Sequence, residues 1–164
     1  MRSLIVGALC LIVLQACGTP TVDPHSIEGK LVTKIKATCG ESTGCTIRLR
    51  DVTDFDWDRV YVFSSVPKDQ IEKVIGTPFP RHEEFKRSII FFNGGKVVYS
   101  EAEPTDIESV INDEVVFDIT YGDNYRSYSF DSRFEVKRKN FQRGVYFQRG
   151  VYYELRLIQS PEMN

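Results

Sequence analysis

Ser88-Ile89-Ile90-Phe91-Phe92-Asn93-Gly94-Gly95-Lys96-Val97-Val98-Tyr99 is the stretch on which the fold class turns. Two runs rich in β-branched and aromatic residues flank Asn93-Gly94-Gly95. Those turn residues tolerate the positive φ angles that a tight hairpin loop demands, so the stretch reads as a β-hairpin. Just upstream, residues 67–75 open with Pro67 and are followed by Gly76. Proline in the first turn and glycine just past the last is the asymmetry of a short helix. Ile71, Val74 and Ile75 supply its apolar stripe.

Working outward, residues 59–63 form a β-branched and aromatic strand, and residues 46–50 alternate, with Ile47 and Leu49 inward and Arg48 and Arg50 outward. Residues 31–37 also alternate, with Leu31, Thr33 and Ile35 on one face. Downstream, Thr105-Asp106-Ile107-Glu108 is a capping box that opens a second short helix ending near Asn112. Strands then follow at residues 115–120, 125–130, 134–137 and 151–158. This predicts an α+β domain: a twisted antiparallel β-sheet of about nine short strands with two short helices packed on one face.

The N-terminus carries an address. Arg2 precedes an apolar run of eleven residues from Leu4 to Leu14. That is shorter than the roughly 20 apolar residues of a membrane-spanning helix and matches the apolar core of a secretory signal. It ends in Leu14-Gln15-Ala16-Cys17. This resembles the lipobox of bacterial lipoproteins, in which cleavage precedes the cysteine. The resemblance implies a signal peptide over residues 1–16 and a diacylglyceryl group on the Cys17 sulfur. It also implies an acyl chain such as palmitate on the new N-terminus. Two or three chains hold a protein firmly, since each buried methylene contributes about 0.8 kcal/mol. Gly18 lacks the aspartate associated with inner-membrane retention, so the resemblance implies an outer-membrane lipoprotein facing the periplasm. Residues 17–28, with two prolines, read as a lipidated tether, and residues 29–164 as a single domain.

The chain of 164 residues is 41% hydrophobic, with 11 Phe and 8 Tyr, enough for one core. Without Arg2 it carries 20 basic and 23 acidic side chains, a balance that offers nothing to nucleic acid. Charge is nonetheless segregated. Residues 99–124 hold eight acidic and no basic side chains, and residues 132–158 hold seven basic and two acidic. Either strands pair these charges, or a dipolar surface steers a partner or rests against anionic lipid headgroups. Cys39 and Cys45 bracket a short glycine-containing turn in an oxidising compartment and are expected to form a disulfide that staples a hairpin. Closing a ring of about seven residues is worth about 2–2.5 kcal/mol.

Motifs for chemistry are sparse. Asp54, Asp56 and Asp58 begin like a calcium loop, but Arg59 stands where glycine is needed and Ser65 where a bidentate glutamate belongs. The plainer reading is a capped turn with Phe55 and Trp57 as core anchors. The run from Asp54 to Phe63 is similar to a segment of uncharacterised bacterial lipoproteins, which transfers no active site. The run from Val66 to Pro78 resembles the helix of SmpA-type envelope assembly lipoproteins and β-lactamase-inhibitor-like domains, which bind other proteins. His82, beside Glu83 and Glu84, lacks a nucleophile or metal-ligand motif. His25 falls in the tether. No catalytic residue, metal ligand or cofactor is assigned. Finally, Phe141-Gln-Arg-Gly-Val-Tyr146 is repeated unchanged as Phe147-Gln-Arg-Gly-Val-Tyr152. A period of six keeps a strand's two-residue alternation, so the repeat would lengthen a hairpin. The expected function is a membrane-anchored, non-enzymatic lipoprotein that binds another envelope or exported protein, as an assembly accessory or immunity-type inhibitor. Arg143, Tyr146, Arg149 and Tyr152 are the candidate contacts, since Arg and Tyr dominate interface hot spots. A lipid or small-molecule carrier and an envelope hydrolase stay open as alternatives.

Overall fold

The computed structural model describes residues 22–40, 44–104, 111–119, 123–143 and 148–158. Their elements, in chain order, are α1 (Ile27–Cys39), β1 (Cys45–Arg48), a 3-10 turn (Leu49–Asp51) and β2 (Arg59–Phe63). Then come α2 (Lys68–Ile75), β3 (Lys86–Asn93), β4 (Lys96–Pro104), β5 (Glu114–Phe117), β6 (Tyr125–Ser129), β7 (Arg133–Arg143) and β8 (Gln148–Leu157). The α+β class holds. The single sheet of nine strands does not: eight strands among the described residues form two four-stranded sheets. Sheet A has the order β1-β7-β8-β5 and sheet B the order β4-β3-β2-β6. All pairings are antiparallel except β5 with β8, which is parallel. Turn signals count strands well but do not say which strands pair.

The hairpin forms as expected. Asn93 pairs with Lys96, and Gly94 and Gly95 occupy the loop at φ 56° and 77°. Positive φ at both central residues is the geometry that follows the twist of the strands. α2 also matches its sequence reading. Pro67 precedes it, and Gly76 closes it in the left-handed region while donating to Glu72 O at 2.8 Å. The expected capping box at Thr105 and Glu108, and its helix, lie outside the described residues.

Residues 31–37 are not a strand; they belong to α1. Ile27, Leu31, Ile35 and Cys39 recur every four residues and, with Val32, form one buried stripe. The alternation of Leu31, Thr33 and Ile35 covers too short a window to reveal this, and Thr33 is exposed. Ser26 caps the helix, accepting from Gly29 N at 3.0 Å, and Gly40 ends it at φ 56°. The tether reading is corrected as well. Ile27 and Glu28 are buried helix residues, and Asp23 is fixed in a turn that accepts from Ser26 N at 3.1 Å and Ser26 Oγ at 2.8 Å. Gly29 packs directly on that turn, where a Cβ would collide with the Asp23 carbonyl. His25 is exposed in the same turn.

Nor do the helices share one face. The main core lies between the two sheets and receives α1, with Leu31 and Ile35 packed among Ile47, Val60, Ile89, Phe91, Val115, Phe134 and Leu155. α1 touches both edges of sheet A, β1 at its C-terminal end and β5 at its N-terminal end. α2 lies on the opposite face of sheet B, where Ile71 meets Phe63, Phe79, Ile90 and Phe92. β3 is therefore covered on both sides. Ile89 and Phe91 enter the first core and Ile90 and Phe92 the second. Ser88 is buried there too, and its hydroxyl is the one buried side-chain oxygen or nitrogen among the described residues without a hydrogen-bond partner.

Cys39 and Cys45 are bonded, with Cα atoms 5.5 Å apart. The bond joins the end of α1 to β1 rather than closing a hairpin, because Cys39 is the last helical residue. Replacing both cysteines by serine should lower stability by about 2–2.5 kcal/mol, the ring-closure entropy of so short a loop. Urea unfolding of the oxidised protein and the double variant measures it, and the slope of the transition should be nearly unchanged.

Candidate functional site

β7 and β8 form the longest ladder, running from Phe134 opposite Leu157 to Arg143 opposite Gln148. The core residues Phe134, Val136, Tyr153 and Leu155 all lie at one end of it. Beyond them the pairing continues through Asn140–Val151, Phe141–Gly150, Gln142–Arg149 and Arg143–Gln148. The sequence repeat sits in this outer part. Phe141 opens the first copy, and its ring lies over Gly150 in the second, where a Cβ would collide with it. The duplication thus lengthens the hairpin in register, as its six-residue period requires.

Three of the four candidate contact residues, Arg143, Arg149 and Tyr152, belong to the β7–β8 ladder. Arg143 and Arg149 stand on adjacent rungs, opposite Gln148 and Gln142. Tyr152 pairs with Lys139 on one side and with Glu114 on the other. Tyr146 lies outside the described residues. Sheet A turns the face opposite its core away from both helices. There Lys139 Nζ lies 3.9 Å from Glu154, and Arg156 Nη2 lies 2.7 Å from the same carboxylate. From the acidic stretch, Asp113 pairs with Lys36 of α1 at 2.7 Å. Part of the charge that is segregated along the chain is therefore paired across the fold.

A second polar centre is buried and has no signature in the sequence. Glu28, 5% exposed, points from the first turn of α1 toward both sheets. Its Oε1 accepts from Val115 N of edge strand β5 at 2.5 Å and lies 3.5 Å from the guanidinium of Arg87, 6% exposed, on β3. Glu101 of β4 receives the N-terminus of the same helix. Its two carboxylate oxygens each accept from Ile27 N at 3.0 Å, and one accepts from Tyr99 Oη at 2.8 Å. A carboxylate is stabilised there by the free N–H groups and the positive end of the helix dipole. Burial, the hydrogen bond to Glu101 and nearby carboxylate charge push the Tyr99 hydroxyl well above its usual range. Burial also lifts the Glu114 carboxyl; Arg87 opposes that rise and Glu28 adds to it. Sequence reasoning missed these groups because they meet across 74 and 87 residues of chain. The only local hint is Ser26 followed by an acidic residue in the first turn.

The remaining motifs resolve into structural roles. Asp58 caps the hairpin loop, its Oδ2 accepting from Gly94 N at 2.7 Å and its backbone N–H donating to Phe92 O at 2.8 Å. Asp51 pairs with Arg48 at 3.2 Å, and Asp54 lies 3.8 Å from Lys30. Trp57 is buried against Phe91, and Phe55 stacks on Tyr99 at 5.0 Å, as core anchors should. No three His, Cys, Asp or Glu side chains among the described residues converge on a metal-sized site. His82 places Nε2 3.1 Å from Val66 O. It borders a cleft of about 470 Å³ with Ser65, Pro67, Lys68, Glu84 and Phe85. Phe85 is 81% exposed at φ 63°. Compared with known proteins, the chain matches no family model, no curated protein and no solved structure at a significant level.

Two expectations follow from the buried centre. Glu28→Ala removes one partner of a buried ion pair and should destabilise the fold by about 3–5 kcal/mol, measured by chemical denaturation. Glu114 acts in the opposite sense. Its folded-state carboxyl holds its proton more tightly than the unfolded one, so folding binds protons and stability falls as pH rises from about 4.3 through the raised folded value. Glu114→Gln should therefore be more stable than the parent at pH 7, and the gap should close toward pH 4. Denaturation curves across that range check the sign.

Proposed function

We propose that the protein is a lipid-anchored domain of the bacterial cell envelope that binds another envelope or exported protein. The anchor is Cys17 of the Leu14-Gln15-Ala16-Cys17 lipobox, and the proposed location is the outer membrane, facing the periplasm. The binding element is the outer part of the β7–β8 hairpin. Arg143, Tyr146, Arg149 and Tyr152 are the contacts, and the role is that of an assembly accessory or immunity-type inhibitor.

The observation that carries this reading is the length of the hairpin. Its pairing extends five rungs past the last one bearing a buried core residue, Arg138–Tyr153, into a segment built from a duplicated Phe-Gln-Arg-Gly-Val-Tyr unit. Val151 still packs against the main core, but the three rungs beyond it bear no described residue of either core. They present a register-locked strand pair rich in arginine and aromatic residues. Such residues carry most of the energy at interfaces because they combine large contact area with directional hydrogen bonds. Burial of their flat faces against a partner would exclude water from the arginine contacts and strengthen them.

The test is affinity capture from crosslinked cells with the full chain, beside Arg143→Glu with Arg149→Glu, and beside Cys17→Ser. One stoichiometric protein partner is expected, reduced at least tenfold by the double arginine variant. The Cys17→Ser chain should leave the membrane fraction while keeping its affinity for that partner in solution. Undiminished capture by the double variant excludes the hairpin as the contact surface.

A further inference from the structure

We infer that the β4 edge of the molecule is a membrane-contact surface. There the shallow groove formed by Val97 and Val98 beside Pro80 and Arg81 rests on the anionic phospholipid bilayer that holds Cys17. The inference rests on the lipid-anchor reading and adds an orientation to it.

The first support is the length of chain between the anchor and the fold. Asp23 is fixed against the first turn of α1, its carbonyl accepting from Ser26 and lying on Gly29. Six peptide units separate it from Cys17. Whatever conformation they take, they span no more than about 22 Å. A domain of this size has a radius of gyration of about 14 Å, so its width exceeds that reach. The end of the molecule that carries the start of α1 must therefore lie next to the bilayer.

The second support is what that end contains. Glu101 of β4 accepts from the backbone of Ile27 and Glu28, so β4 runs alongside the start of α1. Tyr99, two residues earlier, is close enough that the charge of Asp23 acts on its hydroxyl. Val98 is the next residue, about 10 Å along the strand from Glu101. β4 is an edge strand of sheet B, and the start of α1 also meets β5, an edge of sheet A. The anchored side is thus the β4 and β5 side, remote from the disulfide at β1.

The third support is chemical. Val97 is 37% and Val98 44% exposed, adjacent apolar side chains on an edge. They line a groove of about 240 Å³ with Pro78, Phe79, Pro80 and Arg81. Arg81 and Lys96 are exposed beside them. The nearest carboxylate on the strand, Glu101, is turned to the helix N-terminus and Tyr99. Glu83 is paired with Lys86, and Asp23 and Asp54 act on the Tyr99 side of the groove, so Arg81 and Lys96 are the cations left to meet anionic headgroups beside the two valines. Of the other exposed apolar groups among the described residues, Phe85 borders the separate His82 cleft and Tyr125 stacks on Phe63. Leu157 and Ile158 sit at the Arg133 end of sheet A, and Phe130 carries the Arg50 guanidinium over its ring.

The experiment uses the full lipid-bearing chain in vesicles of phosphatidylcholine and phosphatidylglycerol. Val98→Cys and, on sheet A, Lys139→Cys each carry an environment-sensitive fluorophore, with the native disulfide kept oxidised. Brominated lipid should quench the probe at position 98 several-fold more than the probe at 139, and Val97→Asp should abolish the difference. Equal quenching on a chain that mass spectrometry shows to be lipid-modified overturns the contact surface alone. A chain that carries no lipid and remains in solution overturns the anchor and, with it, this inference.

Discussion

A single buried carboxylate joins the three layers. Glu28 leaves the first turn of α1, takes the outward N–H of edge strand β5 and faces the guanidinium of Arg87 on β3. The helix, sheet A and sheet B are thereby fixed at one point. Burying a charge is unfavourable unless it is paired and hydrogen-bonded, and here both conditions are met. Such a contact adds little to net stability compared with an apolar replacement, but it is intolerant of misplacement. A helix shifted by one residue would bury a carboxylate without these partners. Glu101 reinforces the same registry by receiving the N–H groups of Ile27 and Glu28 from the other sheet.

Around that point the molecule is built on a strand covered on both faces. β3 sends alternate side chains into two cores, and its neighbour β2 does the same, with Val60 and Val62 toward α1 and Phe63 toward α2. Sheet A is different. Its inner face meets the main core, and its outer face is polar. Edge strands β1 and β5 are tied to the two ends of α1, through the disulfide at one end and Glu28 at the other. Unsatisfied edges attract foreign strands. Tying both to one helix also leaves the β7–β8 pair at the centre of sheet A, where it runs past the core as a supported ladder.

The proposed partner-binding hairpin and the proposed membrane edge belong to different sheets. One is the extension of central strands of sheet A; the other is the β4 border of sheet B. A lipid anchor on a short link, with an apolar groove bordered by Arg81 beside it, would hold the domain in one orientation. Preorganisation of that kind favours binding because less rotational freedom remains to be lost.

What could be read from the chain alone was local. The Gly94–Gly95 loop, the limits of α2, the strand at β2 and the core roles of Phe55 and Trp57 follow from backbone preferences and short-range periodicity. The cysteine pair was legible from spacing, and the six-residue repeat from its parity with a strand. The Leu14-Gln15-Ala16-Cys17 stretch, read as a resemblance to a lipobox, lies outside the described residues. The alternation of Leu31, Thr33 and Ile35 does not distinguish α1 from a strand, because its deciding members, Ile27 and Cys39, lie beyond that window. The tertiary structure decided everything that depends on distant partners. β1 pairs with β7, β5 runs parallel to β8, and Glu28 meets Val115 across 87 residues. Local sequence restricts φ, ψ and which face is apolar. It does not encode which of several similar apolar faces will meet, because that choice is made by packing and by the few buried charges that fit only one arrangement.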